Sequence, residues 1–202
     1  MGQNSLLVHS CCAHCAAYTV RYWQEQGYEV STLWYNPNIH PYMEHQHRLE
    51  AMQSLAREMS LPLIVNEGYD IVSYFRQVVG REARRCRYCF QLRLSKTAET
   101  AREMGFSAFT TTLLISPHQK HDLLREIGSE LAEEKGIPFL YADLRKSYSD
   151  SRRMTKPLDL YRQQYCGCVY SEWERYAGIT IGDAGECGQN RGGVSRETPP
   201  GI

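Results

Sequence analysis

Seven cysteines in three short groups are the residues of this 202-residue chain best suited to chemistry: Cys11, Cys12 and Cys15, then Cys86 and Cys89, then Cys166 and Cys168. An eighth, Cys187, stands apart. Two residues between cysteines let both sulfurs reach one metal centre. Gly167 lets the backbone turn tightly between Cys166 and Cys168. The groups are remote in sequence, so only the fold can join them. Four thiolates satisfy one zinc ion or one [4Fe–4S] cluster. Seven therefore leave a surplus for a second metal, a redox-active pair or an open site.

Three other readings compete. A structural zinc uses four of these cysteines and leaves three to explain. Cys12-Ala13-His14-Cys15 follows a predicted strand and opens a predicted helix, whose N-terminus lowers a thiol pKa, so a thioredoxin-like thiol oxidoreductase is open as well. The third is buried cysteine without function, the default for Cys187. The start Met1–Ser5 is polar, no stretch has the length of a membrane span, and nothing has the form of a secretory leader. The expectation is a cytoplasmic protein without a membrane partner, where metal or redox chemistry is a better use of cysteines than disulfides.

The elements that must position these groups alternate. Strand-like segments fall at Leu6–His9, Tyr28–Tyr35, Leu61–Val65, Ser107–Leu114 and Ile137–Tyr141. Helical spacing covers Ala13–Gln26, Met43–Met59, Tyr69–Val79, a long stretch from about Tyr88 to Gly105, and Lys120–Lys135. One or two short helices are expected within Leu158–Tyr176. The pattern predicts a three-layer α/β fold, a mostly parallel sheet flanked by helices, with ligands beyond the carboxyl ends of the strands. Cys11 sits at such an end, and Thr112–Pro117 follows another. Residues 1–181 read as one catalytic domain and 182–202, rich in Gly, Pro and polar residues, as a disordered tail.

Five blocks occur in order: His9-Ser10-Cys11-Cys12-Ala13-His14-Cys15, Trp34-Tyr35-Asn36-Pro37-Asn38-Ile39-His40-Pro41, Cys86-Arg87-Tyr88-Cys89-Phe90-Gln91-Leu92-Arg93-Leu94, Thr112-Leu113-Leu114-Ile115-Ser116-Pro117-His118-Gln119-Lys120 and Tyr165-Cys166-Gly167-Cys168-Val169-Tyr170-Ser171. Together they resemble the cobalamin-independent epoxyqueuosine reductases, the QueH family, over residues 6–177. The resemblance implies a fold similar to the nucleotide-α-hydrolase-like (HUP) Rossmann-type group. It also implies the last step of queuosine synthesis, in which epoxyqueuosine at the tRNA wobble position loses its epoxide oxygen, and a [4Fe–4S] cluster with a neighbouring iron. The family usually has proline where this chain has His14, which lies between two presumed ligands and could tune the site or add a ligand.

Within that frame, Cys11, Cys86, Cys89 and Cys166 are assigned to the cluster, and Cys12, Cys15 and Cys168 to the second iron. Adjacent Cys11 and Cys12 at a strand end point in different directions, which favours splitting them. Removing the epoxide oxygen needs two electrons, two protons and a proton donor. Tyr35 and Glu44 are the chosen donors, with His118 and Tyr165 as further candidates. Glu44 lies four residues before Arg48, so an intrahelical ion pair is its competing role. Asn36 and Asn38 could read a base edge or a diol, against simple turn chemistry. His40, His45 and His47 are read as surface residues.

Formal net charge is zero, so an RNA partner must be argued locally. Residues 76–96 carry seven basic residues against one acidic, and residues 145–162 six against two. Both runs adjoin a cysteine group. They are read as contacts for the anticodon loop, with Arg84, Arg85, Arg87 and His118 as substrate-binding residues and Tyr148, Tyr161 or Tyr88 as stacking platforms. A low-potential donor such as ferredoxin or flavodoxin supplies the electrons. Two rivals remain, a tRNA sulfur-transfer enzyme of similar fold and a zinc-stabilised RNA-binding module. The first activates its base with ATP through a glycine-rich loop after the first strand. Here cysteines occupy that place, so no ATP is expected, and the resemblance implies that no cobalamin is needed.

Overall fold

The computed structural model describes residues 4–66, 68–181 and 187–189. Its centre is a parallel sheet of β1 (Ser5–His9), β2 (Glu29–Trp34), β3 (Leu63–Val65) and β4 (Ala108–Thr111) in the order β3-β2-β1-β4. Phe139 extends it by one parallel bridge to Phe109. Among the described residues seven α-helices accompany the sheet: α1 (Ala13–Glu25), α2 (Tyr42–Glu58), α3 (Ile71–Val78), α4 (Arg85–Glu103), α5 (His121–Lys135), α6 (Tyr148–Thr155) and α7 (Val169–Ala177). None of the described helices is long and apolar enough to cross a membrane.

Strand alternation divides the core into two layers. Leu6 and Val8 of β1 pack with Ala16 and Val20 of α1 and Met52 and Leu55 of α2. Leu7 points the other way, onto Leu94 and Ala98 of α4 and Ile127 and Leu131 of α5. All three β1 side chains are fully buried, each worth roughly 1.5–3 kcal/mol of burial free energy. This is the three-layer α/β architecture that the alternating pattern predicts.

The strand order reverses between β1 and β4, because β1 leads outward to β2 whereas β4 is reached by a crossover past β3. Loops diverge at such a reversal and leave a crevice beyond the strand ends. The Cys11 N–H donates to Thr112 Oγ1 across it at 3.3 Å.

Several elements differ from expectation. The strand after Ser107 stops at Thr111, whose hydroxyl accepts from Leu113 N–H at 3.1 Å and starts a 3₁₀ turn over Thr112–Ile115. Ile137–Tyr141 contributes only the Phe139 bridge. α4 begins at Arg85, which places both Cys86 and Cys89 in its opening turns. α6 has no counterpart in the sequence reading, because its Tyr-Ser-Asp-Ser-Arg-Arg start lacks apolar periodicity. Within the expected tail, Cys187–Gln189 pairs antiparallel with Ile179–Ile181. The rest of that segment, and the Cys187 side chain, lie outside the described residues.

Gly128 of α5 faces the Phe139 ring so closely that a Cβ there would lie 2.2 Å from Cε1. Gly128→Ala should therefore cost about 1–3 kcal/mol through overpacking, read as a lower urea midpoint with an unchanged m-value.

Candidate metal centre

Three segments meet at the crevice. β1 ends in Cys11, and Cys12 caps α1, its sulfur accepting from the Cys15 N–H at 3.4 Å. The Cys11, Cys12 and Cys15 sulfurs all lie within 4.8 Å of one another and are buried. Cys86 and Cys89 come from the start of α4, three residues apart and so on one helix face. Cys166 and Cys168 flank Gly167, and Cys168 stands at the N-cap position of α7 without a side-chain capping bond. Gly167 has a φ of +143° and packs against Ile39 and Arg48, where a Cβ would come within 3.2 Å. Only glycine fits both demands.

The thiols interact as two sets. In the first, the neighbouring Cys12 and Cys15 thiols hold the Cys11 pKa well below the ordinary thiol value. The same proximity, with burial, pushes Cys12 up to about 12 and Cys15 well up. In the second set, burial and then Cys168 push Cys89 up to about 12, and burial followed by Cys166 raises Cys86. Cys89 also hydrogen-bonds to the Tyr74 hydroxyl at 3.6 Å. Arg93 acts on sulfurs of both sets, Cys11, Cys89 and Cys166. All seven cysteines are free thiols. A donor set of three and four thiols beside buried cations fits thiolate-bound iron or zinc.

Around the sulfurs stands a network that the sequence did not disclose. The fully buried His9 ring pairs through Nδ1 with Thr111 Oγ1 at 2.9 Å and through Nε2 with Asn36 Oδ1 at 3.2 Å. Burial, then the Arg93 charge, lowers its pKa to about 4, so the ring is neutral and joins the ends of β1, β2 and β4. Arg93, 3% exposed, donates from Nε to Asn38 Oδ1 at 2.8 Å. Arg48, 1% exposed, pairs with Glu44 at 2.6 Å and donates to the Tyr165 and Cys166 carbonyls, both at 3.0 Å. It clamps the loop that carries Cys166.

The geometry gives several of the expected site residues partners within the chain. Asn36 is buried and committed, accepting from His9 and donating to Ser10 O at 2.9 Å. Asn38 is buried against Arg93. Both are held by partners inside the chain. Glu44 accepts from Arg48 on one oxygen and from the Tyr161 hydroxyl on the other, so it is a counter-ion in the loop clamp. The Tyr165 hydroxyl donates to His40 O. Tyr35 lines a separate cleft of about 440 Å³ with Tyr88, Gln91 and Lys96. Arg85 is buried, paired with Glu174 and set over the Tyr170 ring, and Arg87 pairs with Glu126. Of the three arginines, only Arg84 is both exposed and without a carboxylate within 4 Å among the described residues. His118 is exposed and meets Tyr148 edge to face at 6.1 Å. The His14 ring bonds to Thr155, tying α1 to α6, and His14 is not grouped with the sulfurs. His40 and His45 are buried, not surface residues.

Two predictions follow from the buried charges. Arg48→Met should cost about 3–5 kcal/mol by stranding Glu44. Adding Glu44→Met should recover only part of that, since two loop carbonyls stay unpaired, as denaturation of the two variants would show. Among the described residues His40 has no partner on either ring nitrogen; it stacks on Phe75 and is held at about 4, against 6.5 when free, by burial and then Arg93. The unfolded chain therefore takes up a proton near 6.5 that the folded chain refuses until about 4. Stability should fall with pH across that window, by up to about 1.4 kcal/mol per unit. His40→Phe should flatten the decline between pH 6.5 and 5 in urea titrations.

Comparison with known proteins agrees with this geometry. The sequence model of the family described as "Epoxyqueuosine reductase QueH" matches residues 6–174. A protein of Dehalococcoides mccartyi named epoxyqueuosine reductase QueH is 58% identical over 85% of this chain and 94% of its own. One of Thermotoga maritima with the same name is 34% identical over 85% of this chain and 92% of its own. Among solved structures, a predicted subunit of tRNA methyltransferase from Methanocaldococcus jannaschii shares the fold, with a TM-score of 0.52 and 13% identity over 74% of this chain and 73% of that one. With its cysteines gathered at the strand ends and its sequence matched along most of its length, the chain belongs to the epoxyqueuosine reductase QueH family.

Proposed function

We propose that this chain is a cytoplasmic, iron–sulfur-dependent enzyme that reduces epoxyqueuosine at the tRNA wobble position to queuosine, the last step of queuosine biosynthesis. The observation that carries the reading is the buried group of Cys11, Cys12 and Cys15 sulfurs, with Cys86 and Cys89 packed against the same core cluster, in a chain of this family. The grouping supports a [4Fe–4S] cluster on Cys86, Cys89, Cys166 and Cys168 and a second iron on Cys11, Cys12 and Cys15. Relative to the division expected from sequence, Cys11 and Cys168 change places.

The epoxide oxygen leaves as water, which consumes two electrons and two protons and closes the carbon–carbon double bond. A bound iron–sulfur centre with a neighbouring iron supplies electrons singly and a Lewis-acid position for the oxygen. The chain's own residues do the rest. Arg48 and Arg93 offset the negative charge of the sulfurs, and Arg85 lies against Cys168 and Cys86. Neutral His9 holds three strand ends in register without adding charge. With Glu44 and Tyr165 committed elsewhere, His118 at the rim is the proton donor of this reading. Arg84, Lys120, Lys146, Lys156 and Arg162, all exposed, are the phosphate contacts of this reading for the anticodon loop. A low-potential carrier such as ferredoxin or flavodoxin delivers the electrons.

The sulfur-transfer alternative needs a phosphate cradle at the start of α1. That position holds three buried thiols instead. Given a low-potential donor, the anaerobically prepared protein should convert epoxyqueuosine in tRNA to queuosine with neither cobalamin nor ATP. Cys86→Ala or Cys89→Ala should abolish turnover together with cluster absorbance. Iron-loaded protein that binds the tRNA and leaves it unchanged with every donor would defeat the catalytic reading. Arg84→Ala, Lys120→Ala and Lys146→Ala should each flatten the salt dependence of tRNA binding by about 0.7–0.9 in log–log slope. Arg85→Ala should lower stability instead.

A further inference from the structure

Two glutamines donate to sulfur. Gln119, in the turn between β4 and α5, places Nε2 3.3 Å from Cys166 Sγ. Gln163, in the loop between α6 and α7, places Nε2 2.8 Å from Cys12 Sγ. Each thiol set therefore receives one side-chain amide, from a different segment of the chain. The Gln163 carbonyl oxygen is buried and has no partner. Such an orphan costs about 1–3 kcal/mol, so the amide is oriented by its N–H and not by its carbonyl. A metal-ligating thiolate is an acceptor only. It rewards an N–H with a charge-assisted bond and repels a carbonyl.

We infer that Gln119 and Gln163 set the reduction potential of the centre, one through each set of sulfurs. An N–H donated to a ligating sulfur withdraws electron density from the metal and favours its reduced form, so both amides raise the potential. Neither residue need touch substrate to do this. They are positioning residues that make the centre reducible by a biological carrier. The inference rests on the reading above that these thiols hold iron.

The test is an anaerobic redox titration of the iron-loaded full chain, followed by electron paramagnetic resonance and visible absorbance. Gln119→Leu and Gln163→Leu should each move a midpoint to more negative potential at wild-type iron content. Gln119→Glu, which removes the donor and adds charge, should move it further. Gln119→Lys, which keeps a donor, should hold it at or above the wild-type value. Unchanged midpoints in fully loaded leucine variants would overturn the inference. So would loss of iron from the leucine variants together with a wild-type midpoint in Gln119→Glu, an outcome that assigns the amides to holding the ligands alone. Wild-type protein without iron would instead defeat the iron–sulfur reading itself, a separate and recognisable failure.

Discussion

Sulfur atoms that ionise on binding metal repel one another, and the proposed centre has to offset that repulsion. Three buried arginines answer it. Arg48 acts on Cys11 and Cys12, Arg85 on Cys168 and Cys86, and Arg93 on Cys11, Cys89 and Cys166. Two of them carry a carboxylate of their own, Glu44 and Glu174. Among the described residues no carboxylate lies within salt-bridge distance of Arg93, which is left to the sulfurs and to Asn38. A buried charge without a counter-charge is expensive. Its persistence here ties the stability of the helix that carries Cys86 and Cys89 to the charge of the centre.

The fold supplies the meeting place at little extra cost. In a parallel sheet the carboxyl ends of the strands open on one side, and the reversal between β1 and β4 parts the loops there. β1 brings three cysteines, α4 two, and the loop before α7 the last two. That loop has little core of its own. Arg48 holds it through two carbonyls, His40 N–H through Gly167 O at 2.7 Å, and Tyr165 through its hydroxyl. The left-handed glycine between the two cysteines lets the backbone pass close to Arg48.

The fold class, the position of Cys11 beyond β1 and the three cysteine groups were all legible in the sequence, because alternation and cysteine spacing are local signals. What was not legible depends on partners far away in the chain. Asn36 reads as turn or ligand until His9 and Ser10 are seen to claim its amide. Arg85 and Arg87 read as an open basic surface until Glu174 and Glu126 arrive from other helices. Glu44–Arg48 was legible as a pair four residues apart, but not as a buried clamp on the loop at 165–166. Gln119 and Gln163 carry no sequence signal, since a glutamine that donates to sulfur looks like any other. Side-chain direction was not legible either: neighbouring Cys11 and Cys12 place their sulfurs in one group with Cys15 where the chain bends into α1.

The claim on which the account depends is that seven thiols hold iron together at the strand ends. Anomalous diffraction at the iron edge, from anaerobically grown crystals, tests it most directly. The account predicts a four-iron feature beside Cys86, Cys89, Cys166 and Cys168 and a separate iron beside Cys11, Cys12 and Cys15. A single zinc peak on four of these sulfurs, with the other three unligated, would contradict it.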